Sequence, residues 1–113
     1  MHESELTGDQ LLQVLSTLAN PHRLRVVAAL EPGRKYVSEL ARQLGISRPL
    51  LQMHLRKLQA AGLVTAQLEL ATDGKAVNYY SLTSFAFRLS PDTIARAVRT
   101  LTEHHPTANQ EGT

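Results

Sequence analysis

Residues 36 to 64 read YVSELARQLGISRPLLQMHLRKLQAAGLV, and this stretch leaves few ways for the chain to fold. Val37, Leu40, Ala41 and Leu44 fall at i, i+3, i+4 and i+7, one apolar stripe at the helical period. Gly45 ends that helix, because a residue without Cβ takes the left-handed conformation that a helix C-terminus often needs, and Ile46 then folds back toward the core. Ser47 is a good N-cap for a second helix, and Pro49 sits in its first turn, where the N–H groups have no intrahelical partner to lose. On a wheel of roughly 100° per residue, Leu51, Leu55, Leu58 and Gly62 gather within about 40° and must face the core. A small residue where the helices cross (Ala41), a glycine at the turn (Gly45) and a branched residue locking one helix on the other (Leu51) are the spacing of a helix-turn-helix.

The opposite face of the second helix carries Pro49, Met53, Arg56 and Ala60, flanked by Gln52 and Lys57. Those side chains suit a DNA major groove: Gln52 for adenine, Arg48 or Arg56 for guanine or phosphate, Met53 and Pro49 for thymine methyl groups. The expected DNA-binding set on this helix is therefore Ser47, Arg48, Pro49, Gln52, Met53, Arg56 and Lys57. Between Arg34 and Lys57 stand six cations (Arg34, Lys35, Arg42, Arg48, Arg56, Lys57) against the single acid Glu39. This clustering carries the argument for nucleic acid, since the net charge of +2 is too small to do so. A solvated basic face on an ordinary helical hairpin is the competing reading.

With 113 residues the chain is long enough for one domain, small enough that a partner surface would help it. Aromatic residues are 4% against 42% apolar, so the core must come from aliphatic side chains. The absence of cysteine removes disulfides, thiolate metal sites and thiol redox sensing together. No signal pattern opens the chain and its longest uncharged apolar run, Val26 to Leu30, cannot span a bilayer, so a cytoplasmic protein without membrane contact is expected. Catalysis is not expected: there is no cysteine nucleophile and no phosphate-cradling glycine loop, and the serines are caps or strand residues without a base and an orienting acid.

In chain order, residues 1 to 8 read as a flexible tail, 9 to 102 as the DNA-binding and dimerisation domain, and 103 to 113 as a second flexible tail. A helix from Asp9 has the stripe Leu11, Val14, Leu15 and Leu18, with Leu12 as an extra apolar residue off it. Asn20 and Pro21 cap and open the next helix, which Pro32 and Gly33 close. From Leu63 the period changes to 2: Val64, Ala66, Leu68 and Leu70 alternate with Thr65, Gln67 and Glu69, the pattern of a strand with one buried face. A turn at Asp73 and Gly74 returns the chain through a second strand, Ala76 to Leu82, forming a hairpin wing whose tip residues Thr72, Gly74 and Lys75 are candidates for DNA contact. Ser90, Pro91 and Asp92 open a last helix with the stripe Ile94, Ala97, Val98 and Leu101. One small core would struggle to bury the stripes of both terminal helices. The expected dimer interface is thus Leu11, Leu12, Leu15, Ile94, Ala97, Val98 and Leu101, with two recognition helices about one DNA turn, ~34 Å, apart. The fold class is mostly α with a β-hairpin wing, in the order α-α-α-α-β-β-α.

LANPHRLRVVAAL, then VSELARQLGISRPLLQMHLRKLQAAGLV and a glycine-tipped hairpin ending NYYSLT, resembles the ArsR (ArsR/SmtB-type) family of winged helix-turn-helix regulators over residues 11 to 101. The resemblance implies a homodimer through the first and last helices that binds an imperfect palindrome in double-stranded DNA, more often as a repressor, with an inducer or metal changing its affinity. His54 falls on the family's usual histidine; about 60° from Leu51 on the wheel, it is expected to pack with one ring hydrogen bond. Many members bind metals through cysteines at the start of the third helix, and Val37 to Leu44 has none. Others use a last-helix site, of which Asp92, His104 and His105 are present here, with Ile94 where a histidine is expected. In an antiparallel pair of last helices, Asp92 of one chain would lie near Glu103, His104 and His105 of the other. His2 would complete a His and carboxylate shell suited to nickel, cobalt or zinc. The alternative is that the two histidines merely favour the negative end of a helix. A different functional class is also open, a winged-helix interaction module that acts with a second regulatory protein or responds to a non-metal effector.

Overall fold

The structure, a computed structural model, describes residues 5 to 102. Its elements are α1 (Gly8–Leu18), α2 (Pro21–Leu30), β1 (Lys35–Tyr36), α3 (Val37–Leu44), α4 (Arg48–Ala60), β2 (Val64–Leu70), β3 (Ala76–Leu82) and α5 (Pro91–Val98). Every expected helix and both wing strands are present. β1 is the addition: it pairs antiparallel with β3, Lys35 opposite Tyr80 and Tyr36 opposite Tyr79, giving a three-stranded sheet in the order β1-β3-β2. Two residues are too few to show an alternation, and their partners lie more than forty positions away, so no local pattern announces this strand.

The helices start where their caps dictate. Thr7 and Gln10 form a capping box on α1, with Thr7 Oγ1 accepting from the Gln10 N–H at 3.1 Å and Gln10 Oε1 accepting from the Thr7 N–H at 3.0 Å. Asn20 Oδ1 accepts from the backbone of His22 and Arg23 at the head of α2. Ser90 Oγ accepts from the Thr93 N–H at the head of α5. Because of the first cap the domain starts earlier than residue 9: Gly8 is buried inside α1, and Leu6 packs against the core. A Cβ built on Gly8 would stand 2.4 Å from the carbonyl oxygen of Ala97 and 2.8 Å from Leu101 Cβ. The missing side chain is what lets α1 cross α5. The Gly8 N–H donates to Thr100 Oγ1 at 2.8 Å, and Asp9 Oδ1 accepts from the Thr102 N–H at 3.1 Å, fastening the start of α1 to the segment after α5.

The core lies between α2, α3, α4 and the base of the wing. Val26, Leu40, Leu51, Leu55, Leu58 and Leu63 are fully enclosed there, and among the described residues Tyr80 is the one aromatic with a buried side chain in this hydrophobic set. Three expectations need correcting. Gly62, placed on the core face of the recognition helix, lies beyond its end in a turn at φ 77°, exposed. The apolar face of β2 is buried at Val64 and open beyond it, Leu68 being 65% and Leu70 78% exposed, because the hairpin outruns the helical layer beneath it. In the last helix, Ala97 is buried at 6% exposure against α1 of its own chain and so is not available to a second copy, whereas Leu101, just beyond the helix, is exposed at 36%.

Candidate nucleic-acid interface

The turn before α4 is built as its residue types require. Gly45 takes φ 67°, its N–H and that of Ile46 both donating to the Ala41 carbonyl, at 2.9 and 3.2 Å. Ser47 Oγ accepts from the Leu50 N–H at 3.3 Å and starts α4, with Pro49 in its first turn. Leu51, Leu55 and Leu58 then clamp the helix to the core with no exposed surface. What remains faces outward: Ser47, Arg48, Pro49, Arg56 and Lys57 are exposed, Gln52 and Met53 half-buried. Arg42, Arg48, Arg56 and Lys57 have no side-chain hydrogen bond or ion pair among the described residues, so their charges are available to an anionic partner.

Two of the six clustered cations are engaged within the chain instead. The Arg34 guanidinium makes a forked pair with Glu69 at 2.5 and 3.1 Å and lies 4.0 Å over the Tyr79 ring. The pairing lowers the Glu69 carboxyl below its ordinary range and raises Arg34, each chiefly through the shared hydrogen bond. Lys35 Nζ donates to the Ala29 carbonyl at 2.8 Å. A count of charges along the sequence could not reveal this, because Glu69 is 35 positions from Arg34.

Gln52 has a neighbour that the sequence did not disclose. The Tyr80 hydroxyl, rising from β3, donates to Gln52 Oε1 at 3.3 Å. A carbonyl oxygen has two lone pairs, so this bond holds the amide in one orientation while leaving an acceptor site and both N–H donors. At the wing tip Thr72, Gly74 and Lys75 are exposed, and the turn is set by Gly74 at φ 86° and by Asp73 Oδ1 accepting from the Lys75 N–H at 3.0 Å.

His54 packs inside, 3% exposed, with one ring hydrogen bond as expected: Arg23 Nε donates to its Nδ1 at 3.2 Å. His22 stacks on it at 5.3 Å between centroids. Burial, then Arg23, His22 and Lys57, push its pKa below the ordinary value near 6.5. The same Arg23 side chain reaches the carbonyl of Thr17 in α1 through Nη1 at 3.1 Å. It therefore ties α1 to the recognition helix.

For the suggested metal set, His2, Glu103, His104 and His105 lie outside the described residues. Asp92 is described, and its carboxylate is paired with Arg96 one turn later on α5. Among the described residues no cluster of three or more His, Cys, Asp or Glu side chains could hold an ion. Of the dimer set, Leu15, Ile94 and Val98 are exposed at 41%, 41% and 55%, while Leu11 and Leu12 are half-buried.

Residues 18–67 match the model of a helix-turn-helix domain family. An uncharacterized HTH-type transcriptional regulator of Methanocaldococcus jannaschii is 35% identical over 79 residues, 70% of this chain and 82% of that protein. The biofilm growth-associated repressor of Xylella fastidiosa is 36% identical over 62 residues, 55% of this chain and 54% of that protein. Among solved structures, the homodimeric winged helix-turn-helix DNA-binding domain of a possible ArsR-family regulator from Mycobacterium bovis superposes with a TM-score of 0.58 at 31% identity, covering 66% of this chain and 64% of that one.

Proposed function

Because the chain belongs to the ArsR/SmtB-type family of helix-turn-helix transcriptional regulators, we propose that it represses transcription as a homodimer, reading an imperfect palindrome through α4 and the wing. One observation carries the reading: α4 turns Leu51, Leu55 and Leu58 wholly inward and leaves Arg48, Arg56 and Lys57 outward and unpaired among the described residues. Arg56 and Lys57 take phosphates, Arg48 a guanine or a phosphate, and Gln52, held by Tyr80, reads an adenine. Lys75 at the wing tip adds a backbone contact. Leu15, Ile94 and Val98 of α1 and α5 form the dimer surface, for which their exposure argues. The M. bovis domain is itself homodimeric.

Titrating operator DNA at several salt concentrations tests the assignments. Arg56→Ala should weaken binding to all sequences and reduce the slope of log affinity against log salt by about 1, the signature of one phosphate contact. Gln52→Ala should cost roughly 1–3 kcal/mol at a single base position; uniform weakening across sequences would remove Gln52 from base reading. A divalent ion would reach Asp92 by displacing the Arg96 guanidinium. Nickel calorimetry on wild type and Asp92→Asn tests that route, and equal heats would take Asp92 out of any ligand set.

A further inference from the structure

A cleft of about 170 Å³ opens between α1, α5 and the segment that joins β3 to α5. Its lining is divided: Leu6, Leu11, Phe87 and Ala97 supply apolar surface, Glu5, Arg88, Thr93 and Arg96 polar surface, and Phe87 is backed by Phe85 in a stack with centroids 5.6 Å apart. Its rim carries two guanidinium groups, Arg88 and Arg96. Arg96 is held by Asp92 and by Glu5 at 3.3 Å, whereas Arg88 has no side-chain hydrogen bond or ion pair among the described residues. The pairing of Arg96 with Glu5 is solvent-exposed, the Glu5 side chain being 76% open, and such pairs contribute little. A carboxylate at the mouth of the cleft can replace it at small cost. The space is as large as the roughly 150 Å³ cavity that accepts a benzene ring, and a lining with apolar side chains on one part and an unpaired arginine on the other suits a carboxylate with an aromatic body.

We propose that this cleft binds a small aromatic carboxylate, with its ring against Phe87 and Leu11 and its anionic head shared by Arg88 and Arg96 in place of Glu5. Because the walls come from both α1 and α5, the ligand bridges the two helices assigned to dimerisation and changes affinity for DNA. That consequence rests on the dimeric repressor reading; binding itself does not.

Phenylacetate is the probe, titrated into the full chain by calorimetry and followed by amide chemical shifts. Saturable binding with shifts centred on residues 5 to 11 and 87 to 97 is expected, weakened about tenfold or more in Arg88→Gln, the loss of one charge-assisted contact. Arg99→Gln, which removes an exposed cation three residues after Arg96 and outside the cleft lining, should leave it unchanged. Equal affinity for phenylacetamide, an unaltered Arg88→Gln, or no saturation would each overturn the site. DNA affinity is measured in parallel. Ligand binding that leaves operator affinity unchanged overturns the regulatory role, and ligand-free protein that fails to bind any operator overturns the repressor reading while the cleft stands.

Discussion

Since Nδ1 of His54 accepts from Arg23, the ring proton rests on Nε2, an atom with no partner among the described residues. Protonating the ring would turn that acceptor into a donor facing Arg23 and add a charge beside His22, Arg23 and Lys57. The native state therefore resists the proton, whereas the unfolded chain takes it near pH 6.5. With more protons bound when unfolded, stability falls as pH drops below about 6.5 and levels off below the depressed native value, at a slope of at most about 1.4 kcal/mol per pH unit for this group. Urea unfolding between pH 7.5 and 5 should show that slope in wild type and lose it in His54→Gln, whatever its overall stability. Gly8 supplies a second test. Alanine there would gain about 1 kcal/mol of helix propensity, but its Cβ meets a backbone oxygen at 2.4 Å, which no side-chain rotation can relieve. Gly8→Ala should destabilise by roughly 1–3 kcal/mol as overpacking does, read from the denaturant midpoint.

At the level of elements, legibility followed locality. The helix-turn-helix could be read because its determinants sit within a few residues of one another: the Ala41 and Gly45 turn, the Ser47 cap and the leucines of α4. Alternation in β2 correctly told which residues share a face, but not what covers that face, and Leu68 and Leu70 proved open. β1, the Arg34 fork and the Tyr80 bond to Gln52 all depend on residues that are distant in the chain, so no window of sequence contains them. The phenylalanines of the linker to α5 drew no notice because a pair at i, i+2 in an irregular segment fits neither period. The wing and the reading helix meet in the Tyr80 hydroxyl, which makes Tyr80→Phe informative. Removing it should cost about 0.5–1.5 kcal/mol of stability, and the freed Gln52 amide should discriminate less sharply at its base in a binding selection.

Over the whole molecule the fold measures 52 × 34 × 20 Å, with the outer part of the hairpin exposed and α1 packed against α5. Leu15 of α1 and Ile94 and Val98 of α5 are exposed on two helices that pack on each other. Val98→Glu should shift the protein toward monomer in sedimentation while its helical circular dichroism is retained, and should abolish cooperative occupation of the two half-sites. A Val98→Glu protein that still sediments as wild type would place the dimer surface elsewhere. Arg23 belongs at this scale too, because its two ends touch different parts of the machine. With one nitrogen on the Thr17 carbonyl and another on His54, a single rigid plane spans the gap between α1 and α4, the helices proposed to join subunits and to meet the bases. On the proposed dimer, a shift of α1 would be passed through this plane to α4, so Arg23→Lys, which loses the two-ended fork, should loosen any coupling between the dimer surface and DNA affinity.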